Sequence, residues 1–86
     1  MKYRLSPGTI LTSVCDSYFL VFPGRSIRIN ETTAFYVKQL EKGADKKDLI
    51  KAAAETYELE NEEETSKDIE ELLNFLKSNR LLTRCE

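Results

Sequence analysis

The chain contains no histidine and no tryptophan, and the lack of histidine excludes much of the chemistry that a small protein performs. Without an imidazole there is neither the usual general base nor the usual nitrogen ligand for a metal ion. The two cysteines, Cys15 and Cys85, lie near opposite ends, and two thiols without histidine supply too few ligands for a zinc site. We expect no metal, no cofactor and two reduced thiols.

Long hydrophobic runs are also absent. No segment approaches the ~20 apolar residues that a membrane span requires, and residues 1–7 lack the apolar centre of a secretory signal. Phosphate-binding loops, dinucleotide-binding fingerprints and nucleophile elbows do not occur. The adjacent carboxylates Glu70 and Glu71 are typical of a solvated helix face. We therefore expect a cytoplasmic protein that makes no membrane contact and is not an enzyme.

The residues that are present give the composition of an ordinary small domain, with 41% hydrophobic and 33% charged residues. A length of 86 residues is enough for one modest core, so we expect a single domain over residues 1–86. The net charge of −2 is unevenly spread, because residues 55–71 are strongly acidic. That acidic stretch repels phosphates and argues against a nucleic-acid ligand.

Three short segments near the N-terminus predict an antiparallel sheet. Residues 9–15 are rich in β-branched side chains, residues 18–22 are apolar throughout, and residues 25–29 alternate apolar with polar. The turn formers Asp16-Ser17 and Pro23-Gly24 separate the three segments. The middle segment is therefore expected to be the central strand of a three-stranded meander.

The third of these segments is expected to be an open edge of the sheet. Arg25 and Arg28 are expected on its outward face, where charge discourages indiscriminate strand pairing. The edge is nevertheless long enough to accept one added strand.

Capping residues and apolar spacing predict helices after the sheet. Asn30 is placed to cap the first, over residues 31–42, and Gly43 to end it. Asp45 and Asp48 form a capping-box pair at the start of the second. The core-facing stripe of this second helix is predicted to comprise Leu49, Ile50, Ala53 and Tyr57.

A third helix is expected after an acidic linker over residues 58–64, with Thr65 or Ser66 as its cap. Asn79 is expected near its end, because asparagine tolerates left-handed backbone, and residues 81–83 then return to the core. Its core stripe is predicted to be Ile69, Leu72, Leu73 and Leu76. The predicted fold class is α+β, an N-terminal three-stranded antiparallel sheet followed by three helices, in an order typical of a winged helix-turn-helix.

Phe75 lies about 60° beyond Leu72 on the helical projection, at the border of the core stripe. Two interpretations are open. In one, Phe75 covers the edge of a small core. In the other, Leu72 and Phe75 line an apolar groove beside the edge strand, where a peptide adds as a further strand.

The run P-G-R-x-I-x-I-N-E-T, with apolar residues before it and a helix after it, resembles the PqqD family. Those proteins are small stand-alone or fused domains that bind the leader of a ribosomally made peptide and present it to modifying enzymes. The resemblance implies a precursor-peptide partner and a radical-SAM or other tailoring enzyme. It covers nearly the whole chain and is carried by residues 22–32, 55–57, 68–76 and 79–82.

The resemblance also implies where the leader lies, which is between the third strand and the third helix. Asn79 stands where such domains often have glycine, a departure that its left-handed tolerance explains. No catalytic residue is implied. The implied peptide-binding residues are Arg25, Ser26, Ile27, Arg28, Ile29, Asp68, Leu72, Phe75 and Asn79.

Two alternatives come from other classes of function. A winged-helix DNA-binding regulator shares the predicted order of elements, but its recognition helix needs lysine or arginine where this helix carries acids. A homodimer joined through the free strand edge is the other. The chain is accordingly expected to be a monomer or a weak homodimer.

Overall fold

The structure is a computed structural model, and it describes residues 2–57 and 61–85. It confirms the α+β class, with a three-stranded antiparallel sheet toward the N-terminus and three helices after it. The winged-helix part of the expectation stays a prediction. The elements are β1 (Lys2–Leu5), β2 (Ile10–Val14), β3 (Ser17–Phe22), β4 (Arg25–Ile29), α1 (Glu31–Glu41), α2 (Lys46–Thr56), α3 (Glu62–Ser78) and β5 (Leu82–Cys85).

The larger sheet has the order β2-β3-β4, so β3 is the central strand and β4 lies at an edge, as predicted. Leu11, Leu20 and Ile27 are aligned across the three strands and turn toward the core. The first hairpin differs from the prediction, because Ser17 already pairs with Val14. Its two-residue turn is residues 15–16, both with positive φ, which suits the right-handed twist of a tight hairpin.

A second, two-stranded sheet pairs β1 with β5, and only the segment that contains β5 was expected from the sequence. The return to the core is confirmed for Leu81, which is buried, and for Leu82, which packs against the core, whereas Thr83 is exposed. The strand that β5 pairs with, β1, was not predicted. Lys2 pairs with Cys85 and Leu5 with Leu82. No local pattern reveals such a distant partner, because strand pairing is decided by packing across the whole fold.

Both predicted caps of the first two helices are confirmed. The Asn30 side chain accepts a hydrogen bond from the Thr33 N–H at 2.7 Å. Asp45 and Asp48 each accept a hydrogen bond from the other's backbone N–H, at 2.8 and 3.1 Å, which is a complete capping box. Gly43, which follows the Lys42 C-cap of α1, has φ +93°, a conformation that glycine adopts without strain.

The start of α3 corrects the sequence prediction. Asn61 is the cap, its side chain accepting from the Glu64 N–H at 3.1 Å, and the helix begins at Glu62. Thr65 and Ser66 therefore lie inside the helix. Asparagine caps more strongly than threonine, and the acidic residues that looked like a linker suit the positive end of the helix dipole. Residues 58–60 of the predicted linker lie outside the described residues.

The end of α3 is also different from the prediction. Asn79 has φ −97° and ψ 7°, so it is not left-handed. Arg80 takes the left-handed conformation instead, with φ 60°. The reversal thus occurs one residue later than the asparagine preference suggested, and Leu81 turns into the core immediately after it.

The core lies where the inner face of the sheet meets the three helices. In α3, Ile69, Leu73 and Leu76 are buried and Leu72 is half-buried, which confirms the predicted stripe. In α2 the predicted stripe is confirmed for Leu49 and Ala53, which are buried, and for Ile50, which packs against the core. It is wrong for Tyr57, which is 40% exposed because the backbone there has already left the helix. The largest fully buried side chains are Leu20, Val37, Leu40, Leu49, Ile69 and Leu76.

Across the described ranges, no helix combines the length and the apolar character that crossing a bilayer requires.

Candidate functional site

The outer edge of β4 is unpaired by any other strand of the described residues. Because Pro23-Gly24 is a two-residue turn, the closing pair of the hairpin, Phe22 and Arg25, exchanges both backbone hydrogen bonds. Bonding then alternates along an antiparallel pair. Ile27 and Ile29 therefore bond to β3, while Ser26 and Arg28 direct their N–H and C=O groups to the open edge.

The side chains of β4 divide between the two faces of the sheet. Ile27 and Ile29 are half-buried and pack against the core, whereas Ser26 and Arg28 are exposed on the opposite face. Arg25 has the same parity as the isoleucines, so the expectation that both arginines share the outward face is wrong. Arg25 is exposed because it lies at the turn end of the inner row, beyond the reach of the core.

A stripe on α3 carries the other predicted site residues. Asp68, Leu72, Phe75 and Asn79 are spaced by four, three and four residues, which places them on one side of a helix. Leu72 is half-buried and packs against the same core as Ile27 and Ile29. Phe75 is 43% exposed. Covering the edge of the core therefore accounts for only part of the Phe75 ring, and the rest is open to solvent.

Asn79 has a structural role within this stripe. Its side-chain amide donates a hydrogen bond to the Phe75 carbonyl at 2.8 Å, and its backbone N–H donates to the same carbonyl at 3.2 Å. These bonds satisfy a carbonyl that the end of a helix leaves without a partner. Asn79 thus fixes the last turn that carries Phe75.

An aromatic cluster beside Asp68 was not anticipated as part of the site. Phe35 makes edge contacts with Tyr36 and Tyr57, at centroid distances of 5.6 and 5.3 Å. Burial, together with the nearby charge of Asp68, raises the pKa of Tyr36 above its ordinary value. The adjacent aromatics of the first helix were visible in the sequence, but nothing in the local pattern connects them to residue 68.

A shallow depression of about 440 Å³ lies at the Ile29 end of β4. Its wall includes Arg28, the start of β3 and the cap of α1. No local sequence pattern predicts this depression, because it forms only when the first hairpin turn meets the start of α1. The residues that line it are Asp16, Ser17, Tyr18, Arg28, Ile29, Asn30 and Glu31.

The sequence of the chain matches a family model over residues 5–82, that of coenzyme PQQ synthesis protein D, PqqD. The chain belongs to the PqqD family. The resemblance that the sequence analysis identified is thereby confirmed. No curated protein sequence matches this PqqD-family chain.

Two solved structures share the fold of this PqqD-family protein. One is described as lasso peptide synthetase B1 complexed with the leader peptide; its TM-score is 0.77 at 24% identity, over 95% of this chain and 98% of that one. The other is TbiB1 in complex with the TbiA(beta) leader peptide; its TM-score is 0.78 at 16% identity, over 96% and 98%. At these identities the similarity shows a common fold.

Proposed function

We propose that this PqqD-family chain is a recognition element for ribosomally synthesised peptides, which binds the leader of a precursor and presents it to a modifying enzyme. The observation that carries the proposal is the open edge of β4, where Ser26 and Arg28 offer backbone groups with no strand partner among the described residues. Both structures of the same fold are named as complexes with a leader peptide, which supports the proposal.

The leader is proposed to add as a strand antiparallel or parallel to β4. Each new backbone hydrogen bond contributes ~1 kcal/mol net, so pairing at Ser26 and Arg28 gives a moderate, sequence-independent affinity. Alternate side chains of the leader would then turn toward α3 and meet Leu72 and the open face of Phe75, which supply specificity. The proposed contacts are Arg25, Ser26, Ile27, Arg28, Ile29, Asp68, Leu72, Phe75 and Asn79.

The proposed role is binding rather than catalysis. The chemistry of peptide modification is assigned to the partner enzyme. A radical-SAM or other tailoring enzyme is the kind of partner that we propose. Presentation then means holding the leader rigid against one face of this protein, while the core of the precursor extends to the enzyme.

The DNA-binding alternative is not supported. A recognition helix neutralises phosphates with lysine and arginine, whereas the exposed face of α3 repels them. Only Lys67 and Lys77 in α3 are cationic. The acidic side chains of α3 are Glu62, Glu63, Glu64, Asp68, Glu70 and Glu71.

Hydrogen exchange of individual amides tests the proposal. The amides of Ser26 and Arg28 are expected to exchange fast in the free chain and to become protected when a peptide selected for binding from a random twelve-residue library is added. The Ile27 amide, already bonded to β3, serves as the internal control and changes little. Tight binding without protection at Ser26 and Arg28 contradicts strand addition, and protection that rises with chain concentration alone indicates self-pairing.

A further inference from the structure

We propose that the site between β4 and α3 carries opposite charges at its two ends, and that it selects a peptide segment with an acidic and a basic side chain about four residues apart. The inference rests on the proposed function and adds to it the charge pattern of the peptide. It follows from how β4 and α3 are aligned and from which of their charges are left unpaired.

At one end, the turn that begins β4 lies close to the C-terminal end of α3. Pro23 packs beside Gly8, where an added Cβ would stand 3.5 Å from the proline ring. Two residues before Gly8, the Ser6 hydroxyl donates to the Arg80 carbonyl at 3.0 Å, and the Ser6 N–H donates to the Leu81 carbonyl at 2.8 Å. The start of β4 and the end of α3 are thus held together through one short segment, residues 6–8.

At the other end, the last residue of β4 lies toward the N-terminal half of α3. Ile29 leads through the cap Asn30 directly into α1. Phe35, in the second turn of α1, contacts Tyr57 edge-on with ring centroids 5.3 Å apart, and Tyr57 lies four residues before Asn61, the cap of α3. Burial and the charge of Asp68 raise the pKa of the neighbouring Tyr36, which agrees with this placement. Since the opposite ends of β4 lie beside the opposite ends of α3, the strand and the helix run in opposite directions.

The charges on the side that faces α3 have opposite signs at the two ends, since Arg28 lies on the other face of the sheet. Arg25, on the inner row of β4, and Arg80 are exposed at the end where the turn and the C-terminus of α3 meet. Asp68 is exposed at the other end, with Glu64 one turn before it. The two ion pairs found among the described residues are Lys2–Asp48 and Lys46–Glu70, so these site charges have no ionic partner there.

The spacing of the charges sets the spacing on the peptide. From Arg25 to Ile29 the strand advances four residues, or about 13 Å at ~3.3 Å per residue. Side chains on one face of an extended peptide alternate, so two that both face α3 are separated by an even number of residues. With Asp68 proposed to lie level with Ile29, an acidic side chain opposite Arg25 and a basic one opposite Asp68 are expected about four residues apart.

A display library tests the inference without requiring the natural precursor. The folded chain is used to select from a library of random twelve-residue peptides, and the enriched sequences are expected to carry an acid and a base four residues apart. Either order supports the inference, and the order reports the direction of the added strand. Synthetic copies of enriched peptides are then measured by fluorescence anisotropy.

Charge reversal provides the quantitative part of the test. Arg25→Glu and Asp68→Lys are each expected to weaken a selected peptide about two- to fivefold, the range of exposed ion pairs. Reversing the matching charge on the peptide should restore the affinity. Lys51→Glu, an exposed change on α2, is the control for altered net charge and should leave binding unchanged. High salt should reduce the difference between wild type and variants, because exposed charges are screened.

Two results overturn the inference in distinguishable ways. Enriched peptides with no charge pattern, insensitive to Arg25→Glu and Asp68→Lys but lost on Arg28→Pro, overturn the charge selection and leave strand addition standing. If no peptide is enriched, or if enriched peptides bind equally well to Arg28→Pro, the proposed function itself fails and the inference fails with it.

Discussion

Leu20 and Ile27 lie opposite each other in the β3–β4 hairpin as a hydrogen-bonded pair, with both side chains turned into the core. Ile27 therefore has no backbone group free for a ligand. The groups of Ser26 and Arg28, one residue to either side, point away from β3. Along β4, residues whose backbone groups bond to β3 therefore alternate with residues whose backbone groups face the open edge.

Proline substitutions distinguish the residues that bond to β3 from the residues that face the open edge. Arg28→Pro removes an edge-facing N–H, and an edge strand tolerates this, so the fold is expected to survive while binding of a library-selected peptide is lost. Ile27→Pro removes a bond to Leu20 and is expected to lower the melting temperature strongly. Circular dichroism measures the stability and calorimetry the affinity. Arg28→Ala, which keeps the N–H, is the control. A folded Arg28→Pro that binds at wild-type affinity rules out this edge.

Phe75 and its neighbour Leu76 offer a second matched pair. Leu76 is fully buried, whereas Phe75 is 43% exposed. Leu76→Ala is expected to destabilise the fold by ~2–5 kcal/mol, the usual cost of a cavity in a core. Phe75→Ala should cost much less stability but weaken peptide binding about tenfold or more, since buried aromatics dominate such contacts. Urea unfolding and anisotropy measure the two effects. Equal affinity for Phe75→Ala and wild type would remove Phe75 from the site.

The features predictable from sequence are those decided within a few residues. Pro23-Gly24 fixes a turn, the alternation after it fixes an edge strand, and Asn30 and Asp45 fix two helix starts. Each signal acts locally, and each agreed with the packing of the whole chain. The order of the sheet followed, because consecutive hairpins leave few arrangements.

The features that escaped prediction depend on distant partners or on competition between similar signals. β1 exists because Lys2–Leu5 pairs with the end of the chain, and no local pattern carries that information. Asn61 competes with Thr65 and Ser66 as the cap of α3. The acidic residues 62–64 that follow Asn61 have the composition of a polar linker, although they form the first turn of the helix. Arg25 has the same parity as Ile27 and Ile29, so the outward face predicted for both arginines fits Arg28 alone.

The cap of α3 provides a test of that competition. Asn61→Ala removes the oxygen that accepts from the Glu64 N–H and is expected to destabilise the chain by ~1 kcal/mol. For a domain of this size that corresponds to a fall of about 4–8 °C in Tm. Ser66→Ala, inside the helix, should change the Tm little or raise it slightly, because alanine has the higher helix propensity. A larger fall in Tm for Ser66→Ala than for Asn61→Ala would contradict Asn61 as the cap of α3 and favour Ser66.

Asp48 makes the stability of the fold sensitive to acid. The backbone N–H of Asp45 donates to the Asp48 carboxylate, and Lys2 Nζ lies 3.3 Å from Asp48 Oδ2. Together these contacts hold the pKa of Asp48 below its ordinary value. A carboxyl with a lowered pKa in the folded state stabilises that state above the unfolded pKa of ~3.9, and the contribution is lost as the pH falls through the folded pKa.

Asp48→Asn is therefore expected to be less stable than wild type at pH 7, with the difference narrowing below pH ~4 as wild-type Asp48 takes up its proton. Urea unfolding of both proteins between pH 7 and pH 2 measures this difference. Lys2→Met should show a smaller effect of the same sign, because the backbone hydrogen bond is the larger cause of the lowered pKa. A difference between Asp48→Asn and wild type that stays constant over this range would show that the carboxylate is not coupled to folding.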